Sequence, residues 1–191
     1  MSDQENGRPA LFLDRDGIIN VDRGYVHKKQ DFKFIDGIFE LCRRAKALGY
    51  WIFVITNQSG IGRGYYTESQ FNTLSEWMET KFRDQNVSID QVYFCPHHVE
   101  ATIDVYKKEC HCRKPNPGMI VRATKDYKID LPNSILLGDK LTDIQAGQRA
   151  GILTNILYDS NEFENFEMES IKKFVGVKDL LEVNQYFIDH V

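Results

Sequence analysis

In this chain of 191 residues, carboxylates recur where short apolar runs end. Asp14 and Asp16 follow the run Ala10-Leu11-Phe12-Leu13. Thr56 and Asn57 follow the run 51–55. Asp139, with Lys140 beside it and Asp143 a few residues on, follows the run 134–137 and Gly138. A lone aspartate in such a place reads as a helix cap or a turn residue. Two separate runs that end in aspartate, with a third that ends in Thr56 and Asn57, read together as a site. Carboxylates gathered at one point repel one another, so the set calls for a cation. Oxygen donors with no histidine among them suit Mg²⁺.

A second group has different chemistry. In Cys95-Pro96-His97-His98 the C-x-H triplet 95–97 is followed, after the 12 residues 98–109, by Cys110-His111-Cys112. Three thiolates and one imidazole, Cys95, His97, Cys110 and Cys112, make a closed tetrahedral Zn²⁺ site, and a closed site is structural. His98 and His111 are spare, and either could stand in for His97. Clamping both ends of residues 98–109 lowers the entropy cost of ordering them. It also fixes Arg113 and Lys114, which come directly after Cys112. Cys42 lies on the apolar face of a helical pattern and reads as core.

The elements that must position these groups alternate. Short runs at 10–13, 51–55, 92–94, 134–137 and 154–158, apolar on both sides, predict buried parallel strands. Ile38, Leu41, Cys42, Ala45 and Leu48 follow helical spacing, with Gly49 as a stop. Thr67-Glu68-Ser69-Gln70 is a capping box that opens a helix carrying Phe71, Leu74, Met78 and Phe82. Pro117 suits the first turn of a helix with Ile120, Ala123 and Tyr127. Residues 142–150 form another, closed by Gly151. An edge strand is expected over 174–177, a closing helix over 180–188 and an acidic loop over 160–170. The alternation is that of an α/β fold, and in open α/β sheets ligands sit at the carboxyl ends of the strands, where the carboxylates are.

Composition narrows the setting. Lys and Arg number 24 against 28 Asp and Glu, a net charge of −4. That balance disfavours bulk nucleic-acid binding, which wants a basic face. No run approaches the ~18 consecutive apolar residues of a membrane span. The polar start of the chain lacks a signal-peptide core, so a cytoplasmic protein is expected. Residues 1–9 are expected to be a disordered tail and 10–191 a single domain with the metal loop at 95–112.

The motifs resemble a known family. Phe12-Leu13-Asp14-Arg15-Asp16-Gly17, Ile55-Thr56-Asn57-Gln58-Ser59-Gly60, Lys114 and Leu137-Gly138-Asp139-Lys140-Leu141-Thr142-Asp143 are similar, in order, to the four motifs of the haloacid dehalogenase (HAD) superfamily of phosphohydrolases. One departure is Ile18, where the family often has Thr. The zinc loop with Arg113-Lys114-Pro115-Asn116-Pro117-Gly118-Met119 resembles the small HAD group of heptose bisphosphate and histidinol-phosphate phosphatases. Asp22-Arg23-Gly24-Tyr25-Val26-His27 and Cys95-Pro96-His97-His98 are most similar to its heptose branch.

The resemblance implies a HAD-like Rossmannoid fold: a doubly wound, mainly parallel sheet with helices on both faces and no large cap domain. It implies Mg²⁺-dependent hydrolysis of the 7-phosphate of a heptose 1,7-bisphosphate, with histidinol phosphate as the alternative substrate. Asp14 would be the nucleophile and Asp16 the general acid and base. Thr56 and Lys114 would stabilise the phosphoryl group. Mg²⁺ would rest on Asp14, Asp139 and the Asp16 backbone carbonyl. Asp143 has two roles open to it: holding Mg²⁺ through water, or orienting Lys114. Asp22, Arg23, Gly24, Tyr25, Asn57, Gln58, Ser59, Lys114 and Lys140 would contact substrate, and Arg113 would recognise its distal phosphate. The substrate is expected to be a small sugar bisphosphate, and the missing cap and polar surface make a monomer the expected state.

Overall fold

A computed structural model describes residues 7–158 and 174–190, with side chains to 187. Six strands form one sheet: β1 (Ala10–Leu13), β2 (Trp51–Asn57), β3 (Gln91–Cys95), β4 (Ile135–Gly138), β5 (Thr154–Tyr158) and β6 (Val175–Val177). Every neighbouring pair is parallel and the order is β3-β2-β1-β4-β5-β6. The helices are α1 (Ile38–Ala47), α2 (Ser59–Gly62), α3 (Glu68–Asp84), α4 (Gly118–Asp126), α5 (Leu141–Ala150) and α6 (Leu180–His190).

Successive strand residues point to opposite faces, and here both faces are apolar. Leu11, Leu13, Ile52, Val54, Ile135 and Leu137 share one core with Leu41 of α1, Met78 of α3 and Phe187 of α6. Ala10, Phe12, Phe53, Ile55 and Leu136 share the other with Ile120 of α4 and Ile144 of α5. This is a doubly wound sheet. Its order reverses between β1 and β4, and open sheets bind ligands at that crevice.

The expected elements are present, with some changes. The capping box forms: Thr67 N–H donates to Gln70 Oε1 at 2.8 Å, and Gln70 N–H to Thr67 Oγ1 at 3.2 Å. β2 runs two residues past the expected end, because its ladder with β3 continues to the pair Asn57 and Cys95. Pro117 sits just before α4 as its N-cap. The short α2 was not expected, since four residues are too few to show a period. Ile18, the departure from the family pattern, is fully buried in the first core.

Residues 1–6 of the expected tail and the expected loop 160–170 lie outside the described residues. Arg8, also in that tail, is held. It bridges Ile129, donates to Tyr50 O at 2.9 Å and lies 4.0 Å from the Trp51 ring centre. Among the described residues, no helix is long and apolar enough to cross a membrane.

Candidate active site

The end of β1 delivers Asp14 to the crevice. Its N–H donates to Leu137 O at 3.0 Å, which carries the β1–β4 ladder one residue further. Asp14 Oδ1 accepts from the Arg15 amide at 2.7 Å and lies 2.9 Å from Lys114 Nζ. Oδ2 takes no hydrogen bond among the described residues. The group is buried, and burial pushes its carboxyl above the ordinary aspartate value.

Lys114 is buried too, and its ammonium has an acceptor for each of its three protons. These are Asp14 Oδ1, Asp143 Oδ1 at 2.7 Å and the Ile55 carbonyl at 2.8 Å. Burial works to lower its pKa, but the Asp14 and Asp143 carboxylates outweigh that and raise it, so the charge stays. The other oxygen of Asp143 accepts from Lys140 N–H at 3.0 Å. Both Asp143 oxygens are thus engaged by protein, which favours orienting Lys114 over holding a metal.

Asp139 is different. Its Oδ1 is buried with no hydrogen-bond partner, and its Oδ2 lies 3.5 Å from Lys140 Nζ. Burial, and then the charge of Asp14, pushes its carboxyl up to about 7. One oxygen from each of Asp14, Asp139 and Asp143 falls within 4.8 Å of the others. A buried, unpartnered carboxylate oxygen beside further carboxylates, with neither histidine nor thiol among the donors, fits a hard divalent cation. Gly17 permits the approach: its φ is 96°, and a Cβ there would collide with the Asp139 carboxylate.

Asp16 stands apart from that cluster. Arg15 Nη2 lies 2.8 and 2.7 Å from its two oxygens, Asn20 Nδ2 donates at 3.0 Å and Gln58 Nε2 at 3.0 Å. Thr56, buried at the end of β2, accepts from Gln58 Nε2 at 2.7 Å.

Asp14, Asp16, Thr56, Gln58, Lys114 and Asp143 line a cavity of about 380 Å³ together with Asp22, Gly24, Tyr25, Asn57, Ser59, Arg113 and Lys140. Asp22 and Lys140 pair at 3.1 Å and also line a wider cavity of about 620 Å³ on the Asp139 side. Burial works to raise the Asp22 carboxyl, but the Gly24 amide and Lys140 hold it below its ordinary value. Arg23 departs from expectation: it is exposed and does not line the cavity. The Asp22 side chain accepts from Gly24 N–H at 2.8 Å, and that tight turn leaves Arg23 at its outer tip.

The second cluster assembles as expected. Cys95, Cys110 and Cys112 have sulfurs 3.2 to 3.5 Å apart, and His97 Nδ1 lies 3.3 Å from Cys112 Sγ. The thiols are unbridged. Hydrogen bonds from Cys95 and others outweigh burial and pull Cys112 down to about 5. A thiolate is the form that binds metal. His98 lies outside the cluster, its Nδ1 accepting from Glu100 N–H at 3.0 Å, and His111 is exposed. Of the three candidate histidines, the geometry selects His97. Asn116 Nδ2 donates to Cys110 O at 2.9 Å and Gly118 N–H to His111 O at 2.9 Å, which ties the cluster to the Lys114 segment.

Arg15, Asn20 and Tyr66 join the site without having been expected there. Arg15 is 1% exposed, and a charged residue between two aspartates was the available signal. Tyr66 had none, since its hydroxyl finds its partner only through space.

Comparison with known proteins places this geometry. A HAD-hydrolase-like family model matches residues 111–183. The D-glycero-beta-D-manno-heptose-1,7-bisphosphate 7-phosphatase of Photorhabdus laumondii is 47% identical over 169 residues, covering 88% of this chain and 90% of that protein. The corresponding alpha-named 7-phosphatase of Burkholderia mallei is 57% identical over 148 residues, covering 78% of each. The crystal structure of D,D-heptose 1,7-bisphosphate phosphatase from B. bronchiseptica, complexed with magnesium and phosphate, superposes with a TM-score of 0.82. Its identity is 25%, covering 96% of this chain and 99% of that one. With that identity and coverage, the chain belongs to the heptose-1,7-bisphosphate 7-phosphatase family of HAD-like hydrolases.

Proposed function

We propose that the protein hydrolyses the 7-phosphate of D-glycero-D-manno-heptose 1,7-bisphosphate through an aspartyl-phosphate on Asp14. The observation that carries this reading is the asymmetry of the buried Asp14. Oδ1 is held by Arg15 N–H and Lys114, while Oδ2 is free of hydrogen bonds among the described residues. Oδ2 attacks phosphorus, the P–O7 bond breaks, and Asp16 gives its proton to the departing alkoxide. Water then attacks the same phosphorus, passes a proton to Asp16, and the P–Oδ2 bond of the acyl phosphate breaks, returning the Asp14 carboxylate. Lys114 and Thr56 stabilise the charge on the transferred oxygens. Mg²⁺ held by Asp14, Asp139 and the Asp16 backbone carbonyl would neutralise charge on the phosphoryl group.

Cys95, His97, Cys110 and Cys112 are read as a structural Zn²⁺ site that keeps Arg113 and Lys114 in place. Arg113, with a side chain at the cavity wall, is assigned to the distal phosphate of the substrate. The names of the relatives favour the heptose over histidinol phosphate, and they divide between the two anomers. Phosphate release from α- and β-heptose 1,7-bisphosphate and from histidinol phosphate tests the reading. The expected result is that one or both heptose esters turn over far faster. Preference for histidinol phosphate would overturn it.

A further inference from the structure

The Gln58 carboxamide is 1% exposed and every polar atom in it is engaged. Nε2 reaches Asp16 Oδ2 at 3.0 Å and Thr56 Oγ1 at 2.7 Å, while Oε1 lies 2.5 Å from the Tyr66 hydroxyl. An amide can be built either way round, but here only one way works. A carboxylate accepts and does not donate, so the group beside Asp16 must be the NH₂. The oxygen then faces Tyr66, whose hydroxyl donates to it. Burial holds the Tyr66 phenol above its ordinary pKa, which keeps that proton in place. The ring is fixed as well. It stacks on His27 at 4.9 Å between centres and 8° between planes, and Gly60 leaves room for it where a Cβ would collide.

Among the described residues, the side chains that contact the Asp16 carboxylate are all donors: Arg15, Asn20 and Gln58. None of them can take a proton from a protonated Asp16. In its acid form Asp16 therefore has no internal acceptor among these partners, and its proton is left for the substrate oxygen. A reversed Gln58 amide would present an acceptor instead and hold that proton in a hydrogen bond away from the substrate.

We propose that Tyr66 and Gln58 are positioning residues for the reaction: the Tyr66 hydroxyl sets which way the Gln58 amide faces, and that amide holds Asp16 in the orientation from which it protonates the leaving alkoxide. The inference rests on the reading of Asp16 as general acid. Nothing in the sequence pairs these two residues, and neither has to touch the reacting atoms for the device to work.

The test is single-turnover phosphorylation of Tyr66→Phe, Gln58→Met and Asp16→Asn in the full chain with Mg²⁺. Two substrates are compared: heptose 1,7-bisphosphate, whose alkoxide needs a proton, and p-nitrophenyl phosphate, whose phenolate does not. Tyr66→Phe keeps the ring and its stack on His27. Its loss on the heptose ester should exceed its loss on the nitrophenyl ester by about tenfold, with an unchanged melting temperature. Gln58→Met should show the same excess, and it carries the test if Tyr66→Phe does not fold. Equal losses on both substrates, or none on either, would overturn the proposal. Asp16→Asn separates the two readings. If it shows the excess and the other variants do not, only the positioning proposal falls. If Asp16→Asn lacks the excess, the general-acid reading falls and the positioning proposal with it.

Discussion

Asn57 brackets the peptide backbone of Lys114. Its Oδ1 accepts from Lys114 N–H at 3.1 Å and its Nδ2 donates to Lys114 O at 3.1 Å. One side chain thus closes a two-bond ring between the end of β2 and the segment that leaves the thiol cluster. Asn57 also pairs with Cys95 in the β2–β3 ladder, so the same strand position meets both clusters. The buried ammonium of Lys114 is therefore aimed from three sides: by Asn57 at its backbone, by Cys112 two residues before it, and by the acceptors at its tip.

Replacing Asn57 by alanine removes both bonds and leaves the Lys114 peptide groups partly buried and unpaired. Stability should fall by about 1–3 kcal/mol. A misplaced Lys114 should lower kcat by roughly 10–100-fold with a smaller change in KM. Thermal unfolding and steady-state kinetics check both; a wild-type kcat would show that Asn57 does not aim the lysine.

The nucleophile is the most direct case. Asp14→Asn keeps the size of the side chain and removes the attacking charge, so turnover should drop by at least ~10³-fold. Trapping of phosphorylated enzyme should fail in the same variant. A tenth of wild-type activity surviving would move the nucleophile elsewhere.

Asp143 accepts from Lys114 with one oxygen and from Lys140 N–H with the other. An amide matches only one of those two donors. Asp143→Asn should therefore lower kcat by about 100-fold, while the Mg²⁺ concentration for half activity shifts by less than about threefold. A tenfold rise in the Mg²⁺ requirement would instead put Asp143 on the metal.

Asp139 supplies a pH dependence whose sign follows from its shift. In the metal-free protein burial raises its carboxyl to about 7, above the ordinary 3.8 of an unfolded aspartate. Between those values the folded state holds a proton that the unfolded state has released, so this residue lowers stability as pH rises. Metal binding requires that proton to leave. Mg²⁺ affinity should thus strengthen as pH climbs toward 7 and level off above it, with proton release on binding below 7. Calorimetry in buffers of different ionisation enthalpy reads the release. Asp139→Asn should abolish the metal-binding heat, and Mg²⁺ affinity independent of pH from 5 to 7 would contradict the assignment.

The thiol cluster should carry about one zinc per chain. Cys110→Ser should lose it and loosen the segment leading to Arg113 and Lys114, lowering stability and activity together. The Mg²⁺ requirement should stay the same, because the two sites share no ligand. Protein purified without zinc, with loop proteolysis and turnover indifferent to chelation in excess Mg²⁺, would end the zinc assignment.

Local pattern carried much of this protein. Runs apolar on both faces read directly as buried parallel strands, because strand side chains alternate and both sides of this sheet are covered. Thr67 and Gln70 announced a helix start, since a capping box needs only residues three apart. The C-x-H and C-x-C pairs Cys95/His97 and Cys110/Cys112 announced a candidate ligand set, because within each pair the residues are two apart. The tertiary structure decided what depends on partners far along the chain. Placing β1 beside β4 brought Asp14 to Asp139 and left one Asp139 oxygen unpartnered. Carrying Lys114 between Asp14 and Asp143 set an ammonium against both carboxylates. Geometry alone brought His97, and not His98 or His111, to the thiols, left Arg23 off the cavity wall, and joined Tyr66 through Gln58 to Asp16. Period and spacing are written in neighbouring residues, whereas a hydrogen bond across the fold exists only once both ends have been carried to the same place.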